Sequence, residues 1–515
     1  MLKPSTQADN ALSRSGRYLL TLLFFVAILF SARHYADGFG EHAILLLAAL
    51  LGGYMALNIG ANDAGNNIGP LVGSRVIGLA SAMLLAGVFE AAGAYLAGGE
   101  VISTIERGIV DPALLSERET VIRVMLSALL AGGLWLNLAT LSGTPVSTTH
   151  TIVGGVIGAA AAMGGLGMVD WATIGTISVS WVLSPLLGGI IAALLLYLIK
   201  RTITYQRHMT LAASRVLPLL VGLMSWSFTS YLLLKGLKTS WRVDSTTAIL
   251  SGLTIGLGIY LIISPIINQR TALLPNTKSA LNRLFNIPLL LAAGLLSFAH
   301  GSNDVANAIG PLIALVQALS SSNPLPTDTL FPWLLLIGAL GIPLGLVLFG
   351  GRLVETIGSG ITELDQIRAF CIVTSVSITV LLASQFGLPV SSTHIAVGAI
   401  FGIGFLRERL KTNYAILREA VRRHQQEHAP EAIEAFMQRF EQASFSDKGR
   451  MLEDLERSQR PIGIEPKERR ALQKLYRRAL VERSALIRIL SAWFLTLPAA
   501  GLLSAMIYKI LEFFI

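Results

Sequence analysis

Hydrophobic runs about as long as the ~20 residues an α-helix needs to span a bilayer core recur along most of this chain. They fall at 17–33, 76–98, 171–199, 247–267, 330–349 and 487–511. No water reaches the backbone in hydrocarbon, so segments of this kind must close their hydrogen bonds within themselves. A large soluble α/β enzyme would alternate shorter apolar runs with charged surface stretches. Here 53% of the residues are hydrophobic and 14% charged, which leaves an all-α polytopic membrane protein as the fold class. Residues 1–16 are polar, and no small-residue cleavage site follows the first apolar run, so that run reads as a retained helix. The single cysteine, Cys371, excludes an intramolecular disulfide and reads as a buried thiol. A net charge of +9 would suit nucleic acid. The basic residues crowd into particular loops instead, as orientation signals do, so the expected surroundings are a lipid bilayer and no nucleic acid.

The chain is internally duplicated. IGANDAGNNIGP at 59–70 matches HGSNDVANAIGP at 300–311, and GGEVISTIERGIVDP at 98–112 matches GGRLVETIGSGITEL at 350–364. TPVSTTHTIVGGVIG at 144–158 matches LPVSSTHIAVGAIFG at 388–402, and WVLSPLLGGIIAALL at 181–195 matches WFLTLPAAGLLSAMI at 493–507. Elements repeated in the same order define two halves. Two further apolar segments, about 215–234 and 247–267, separate them. The crossing count between equivalent points is then odd, which predicts inverted halves, whether or not each PVS segment forms a re-entrant hairpin.

These features divide the chain into an amino-terminal tail and first helix (1–40), repeat 1 (41–200), connecting helices (201–284), and the first part of repeat 2 (285–406). A soluble helical insertion (407–484) and the last helix of repeat 2 (485–515) complete it. Lys200, Arg201, Arg207 and Arg215 gather in one loop, and Arg270, Lys278 and Arg283 in another. The acid-richer loop with Glu100, Glu106, Asp111, Glu117 and Glu119 falls on the opposite side of the count. Basic loops face the cytoplasm, which places the amino terminus and the insertion inside and the carboxyl terminus outside, in a cell membrane of the bacterial inner-membrane kind. The insertion reads as amphipathic helices joined by the breaker RPIGIEP.

Two motif types carry the chemistry. Asp63 and Asp304 end apolar runs, each preceded by an asparagine (Asn62, Asn303) and followed three residues later by another (Asn66, Asn307). A carboxylate at bilayer depth costs about 2.5–3.5 kcal/mol even on lenient insertion scales, so acids at equivalent points of both halves need a ligand to justify them. Gly60, Gly69, Pro70 and Gly301, Gly310, Pro311 bracket the clusters and predict a broken helix at each. The second type follows Pro145 and Pro389: Ser147, Thr148, Thr149 and His150, and Ser391, Ser392, Thr393 and His394. Proline followed by hydroxyl residues describes a helix start, and its free N–H groups with those hydroxyls make an anion site without arginine. The histidines read as accessory residues that orient their neighbours. Glu90 is a further accessory acid; its counterpart region near Ile342 has none. Arg75 and Arg107 read as loop-end anchors.

Together these stretches resemble the inorganic phosphate transporter family, over both halves and nearly the whole membrane part. The resemblance implies a secondary transporter with inverted repeats and no cofactor, importing inorganic phosphate with sodium or a proton. It implies that Ser147, Thr148, Thr149, Ser391, Ser392 and Thr393 face phosphate together with Asn66 and Asn307. Asp63, Asp304, Asn62 and Asn303 would then serve the coupling cation, with no metal beyond Na⁺. The expected partners are phosphate, the cation and the bilayer, with room for a second copy in a homodimer. The chain departs from the family pattern at Ala64-Gly65-Asn66-Asn67, where Val-Ala-Asn-Ala is commoner, and at Pro70, where threonine is frequent.

Charge arithmetic supports coupling independently. No lysine or arginine lies in the four motifs. Two aspartates and a doubly charged phosphate bring about four negative charges together, and like charges a few ångströms apart cost roughly 4 kcal/mol per pair near a dielectric of 20. Helix ends return about half a charge each, so cations or protons must supply the rest. Sulfate is the rival anion, and an intramembrane Ser–His hydrolase the rival class. The duplicated, symmetric Ser–His pairs favour a transport site over catalysis, which needs one nucleophile, one base and an oxyanion hole; the chain is not expected to be an enzyme.

Overall fold

A computed structural model describes residues 13–36, 42–110, 118–236, 243–320, 327–354, 364–426 and 483–514. In the first half the helices are α1 (Arg14–Ala36), α2 (His42–Gly73), α3 (Leu79–Ala97), α4 (Gly99–Arg107), α5 (Arg118–Ser142), α6 (Thr148–Gly164) and α7 (Trp171–Ile199). Then come α8 (Met209–Tyr231), α9 (Ser245–Ala272) and α10 (Lys278–Leu284). The second half holds α11 (Asn286–Asp304), α12 (Ala306–Leu319), α13 (Thr327–Phe349), α14 (Gln366–Gln385), α15 (Ser392–Gln426) and α16 (Arg483–Leu511). Among the described residues ten helices are long and apolar enough to cross a membrane, and the α10–α12 stretch, bent by 42°, adds an eleventh candidate. The insertion expected at 407–484 begins as a continuation of α15 to Gln426; its 427–482 portion, like residues 111–117 of the acidic loop, lies outside the described residues.

Each motif-bearing helix packs on a helix of the other half. α2 crosses α13 where a methyl group at Gly60 would stand 1.7 Å from the Ile342 carbonyl oxygen; α11 crosses α3 where one at Gly301 would stand 2.1 Å from that of Glu90. α6 packs on α16 and α15 on α7, again backbone to backbone: Gly158 meets the Gly501 carbonyl and Gly402 that of Gly189, at 2.0 and 2.1 Å from the missing methyl. Between helices in lipid there is no hydrophobic drive, so association rests on such close van der Waals contact at small residues. The two halves are thereby interlocked.

The break expected at each Asn-Asp motif is not found. α2 runs unbroken through Asn62–Asn67 and Pro70, and only Val305, with helical dihedrals (φ −58°, ψ −31°), separates α11 from α12. The glycines permit close crossing instead of unwinding. The prolines still matter: Pro70 and Pro311 have no N–H to offer the carbonyls four residues earlier, those of Asn66 and Asn307.

The PVS segments do interrupt the chain. α5 and α6 form one hairpin with its tip at 143–147, and α14 and α15 another with its tip at 386–391. Their open ends lie at opposite ends of α7. The first is tied there by Asp170 N–H donating to the Ile109 carbonyl, 3.1 Å, beside Trp171. At the other end Asp365, Arg368 and Arg407 are electrostatic neighbours of Lys200. α7 has 29 residues, about 44 Å at 1.5 Å per residue, so the hairpins enter from opposite sides and meet tip to tip. The basic loops share the Lys200 side: Asn276 donates to the Arg207 carbonyl at 2.8 Å. On the far side Lys235 pairs with Glu100 at 2.9 Å.

Candidate functional site

Where the hairpin tips meet the Asn-Asp helices, a polar centre is sealed inside the apolar bundle. Asn62, Asp63, Asn66, Asn303, Asp304 and Asn307 are at most 1% exposed, and Thr148, Thr149, Ser392 and Thr393 at most 2%. It is assembled from both halves. Asn66 donates to Asp63 Oδ1 at 2.7 Å and to Thr393 Oγ1 at 2.8 Å, and Thr393 in turn donates to Asp63 Oδ1 at 2.8 Å. Reciprocally, Asn307 reaches Thr148 Oγ1 and Thr149 Oγ1, both at 3.3 Å, whereas Asp304 Oδ2 accepts from Ser392 of its own half at 3.1 Å. The tips touch each other: Thr149 donates to the Val390 carbonyl (3.0 Å), and the Val146 carbonyl lies 3.3 Å from Thr393 Oγ1 as the alternative acceptor of its one proton.

Three pairs of expected site residues have partners within the protein. Asn62 and Asn303, expected beside the cation, clamp the loop of their own half. Asn62 Oδ1 accepts from Val146 N–H (3.0 Å) while its amide donates to Thr140 Oγ1 (3.1 Å). Asn303 Oδ1 accepts from Val390 N–H (3.3 Å) while its amide donates to Ser384 Oγ (2.9 Å). An amide engaged at both ends is a clamp. Ser147 and Ser391, expected to face phosphate, are N-caps, accepting from the His150 and His394 N–H groups at 3.1 and 3.2 Å. The prolines stand two residues ahead of those caps rather than in the first turn. His150 and His394 turn their rings away from the centre into a stack of four: Trp181, His150, His394 and Trp493, with successive centroids 3.9, 4.5 and 3.6 Å apart. With the imidazoles there, neither capping serine has a base, and the hydrolase arrangement is not formed.

The histidine that does enter the centre is His300. Its Nε2 lies 2.7 Å from Asp304 Oδ2 and 3.5 Å from Asp63 Oδ2, and its Nδ1 lies 2.5 Å from Glu90 Oε1. Glu90 Oε1 also accepts from Asn67 at 2.6 Å. Sequence reasoning passed over His300 and Asn67 because neither is shared by the two copies: Ile59 and Ala308 stand at the equivalent places. The signal was the pairing of mismatches, since Glu90 also lacks a counterpart.

Several buried side-chain oxygens here have no hydrogen-bond partner, Asn66 Oδ1, Asn67 Oδ1, Glu90 Oε2 and Asn307 Oδ1, and Asp63 Oδ2 has only the distant His300 Nε2 at 3.5 Å. All are acceptors, and buried acceptors without donors are costly. Pro70 and Pro311 also deny the Asn66 and Asn307 carbonyls their usual helical donor. One ligand atom each of Asp63, His300 and Asp304 can be chosen within 4.8 Å of one another. Oxygen-rich and donor-poor, this side of the centre suits a hard cation or protons. The opposite side is donor-rich, presenting the hydroxyls and first-turn N–H groups of α6 and α15.

Residues 59–504 match the profile of the phosphate transporter family. A Helicobacter pylori protein that carries the name phosphate permease is 45% identical over 523 residues, covering 99% of this chain and 98% of its own. A Haemophilus influenzae protein of the same name is 38% identical over 386 residues, 73% of this chain and 91% of its own. A solved structure titled as a sodium-dependent phosphate transporter superposes with a TM-score of 0.73 at 30% identity, covering 92% of this chain and all of that one.

Proposed function

This chain belongs to the phosphate transporter family, a family of transporters rather than enzymes, and from that premise we propose that it imports inorganic phosphate by symport with Na⁺ or H⁺. The observation that carries the proposal is the shared centre: acceptors around Asp63 and Asp304 meet hydroxyls and helix amino ends contributed by both halves. Phosphate lies against Thr148, Thr149, Ser392 and Thr393, with the Asn66 and Asn307 amides between anion and cation. The cation or proton lies on Asp63 and Asp304, beside the Asn66 and Asn307 carbonyls, where it offsets charge that the helix ends only partly balance. Neither ligand is stable in the centre without the other, which is the basis of coupling.

The amino terminus and the basic loops lie in the cytoplasm of a bacterial inner membrane under this reading, supported by the gathering of Lys200, Arg207 and Lys278 at one end. The halves are inverted relatives, supported by hairpins that enter from opposite sides. Alternating access follows if one interlocked set of helices rocks against the other, exposing the centre to each side in turn.

The test is uptake of labelled phosphate into proteoliposomes under separately imposed sodium and proton gradients. One of the two is expected to drive accumulation above equilibrium. Phosphate that merely equilibrates, unmoved by either gradient, rules out symport. Excess sulfate is expected to leave uptake intact, because an acid-lined centre favours an anion that itself carries a proton.

A further inference from the structure

A cavity of about 880 Å³ opens between α7, α15 and α16, away from the polar centre. Its inner end is the ring stack of Trp181, His150, His394 and Trp493; its outer end is Arg409, which is exposed. The walls between are apolar, and Val182, Leu186, Ile190, Phe405 and Phe494 present exposed side chains there.

The dimensions and charge of this groove identify its occupant. His394 and Arg409 lie fifteen residues apart on one helix, about 22 Å at 1.5 Å per residue. Half of a bilayer measured with its headgroups is about 20–22 Å. The groove therefore runs the depth of one leaflet, from headgroup level to the midplane where the hairpin tips meet. At its outer end Arg409 stands on the same membrane face as Lys200, Arg207, Arg368 and Lys278. An apolar channel one leaflet deep with a cation at its mouth complements a single amphiphile: an acyl chain below, a phosphate above.

We infer that this groove binds an anionic phospholipid from the leaflet on the basic side, with its phosphate on Arg409 and one acyl chain reaching the ring stack. The lipid then sits in the seam between the α7–α15 and α6–α16 pairs, the helices that the two halves exchange. It belongs to the scaffold, and its binding does not depend on which ion or anion the centre carries.

The experiment uses the full chain reconstituted in phosphatidylcholine vesicles, with rising fractions of phosphatidylglycerol or phosphatidylcholine brominated near the chain end. The readout is quenching of the fluorescence component that Trp493→Phe removes, with Trp181→Phe as the second reporter. A surface cation is worth roughly a five-fold preference for anionic lipid. Brominated phosphatidylglycerol is accordingly expected to quench at about a five-fold lower fraction than brominated phosphatidylcholine. Arg409→Gln should merge the two curves, and Ile190→Phe, which narrows the groove, should weaken both. Equal potency of the two lipids on the wild type, or a preference that survives Arg409→Gln, overturns the site. Absence of quenching by either lipid does so too, and would indicate a second copy of the chain in the groove.

Discussion

The same helix crossing is built twice in this molecule, with opposite chemistry. Where α2 crosses α13, Gly60 rests on the Ile342 backbone, and Ile59 and Ile342 both belong to the apolar core. Where α11 crosses α3, Gly301 rests on the Glu90 backbone, and the side chains in the matching places are His300 and Glu90, in contact at 2.5 Å. The backbone approach is nearly identical; the side chains are apolar in one crossing and ionisable in the other. Duplication therefore supplied a symmetric scaffold with Asp63 and Asp304 in both halves, and asymmetry was then written onto it at two paired positions. In the proposed function the shared part holds the ion and the anion. The unshared part gives the centre a third carboxyl and an imidazole on one side only.

The sharpest way to break the comparison is to remove an acid from the shared part. Asp63→Asn and Asp304→Asn should each lower coupled uptake on the order of 100-fold, the cost of losing a charge-assisted interaction near 3 kcal/mol. Folded protein should remain in the membrane, so the check is uptake normalised to monodisperse protein. Next come the crossings themselves. Gly60→Val and Gly301→Val force side-chain atoms into a carbonyl, and overpacking of this kind costs roughly 1–3 kcal/mol or more. Both should lower the unfolding temperature similarly, whereas a large difference would deny that the crossings are equivalent.

The unshared positions sharpen the comparison from the other direction. Glu90→Gln should cut uptake strongly while leaving thermal stability close to wild type. Ile342→Val, at the matching place, should cost about 0.5–1.5 kcal/mol of stability and leave uptake and its ion dependence unchanged. Both are read by pairing an uptake assay with thermal unfolding. The smallest effect is expected from an acid outside the membrane interior. Asp170 caps α7; the Thr173 N–H and hydroxyl and the Ala172 N–H hold its carboxyl below the usual range. A lowered value means its contribution is present above the ordinary carboxylate range and fades as pH falls through the lowered one. Asp170→Ala should therefore narrow the stability difference between neutral and acid pH slightly, with no change in uptake at neutral pH.

Much of this architecture was legible in the chain because membranes punish waste. Asp63, Asp304 and the two hydroxyl clusters stood out as polar groups with no business in apolar runs unless they faced one another, and they do. The glycines were misread. Gly60 and Gly301 looked like helix breakers, but a missing side chain serves an approaching backbone as well as an unwound one, and a linear sequence does not name the partner helix. For the same reason the exchange of α7 and α16 between halves was invisible: the spacing Gly154–Gly158 or Gly398–Gly402 announces a close contact without saying with what. His150 and His394 attracted attention by repetition yet stack outside the centre. His300 was missed by the same habit, since a search for matches between copies passes over the paired mismatches that distinguish them.

The claim on which all of this rests is that anion and cation stabilise each other across one buried centre. The direct measurement is the affinity of purified protein for phosphate, titrated calorimetrically with and without sodium and at two pH values. Thermodynamic reciprocity requires that a coupled ion tighten phosphate binding. The prediction is tighter binding with sodium or at the lower pH, with the gain abolished in Asp63→Asn. A phosphate affinity indifferent to both sodium and pH in the wild type would contradict it.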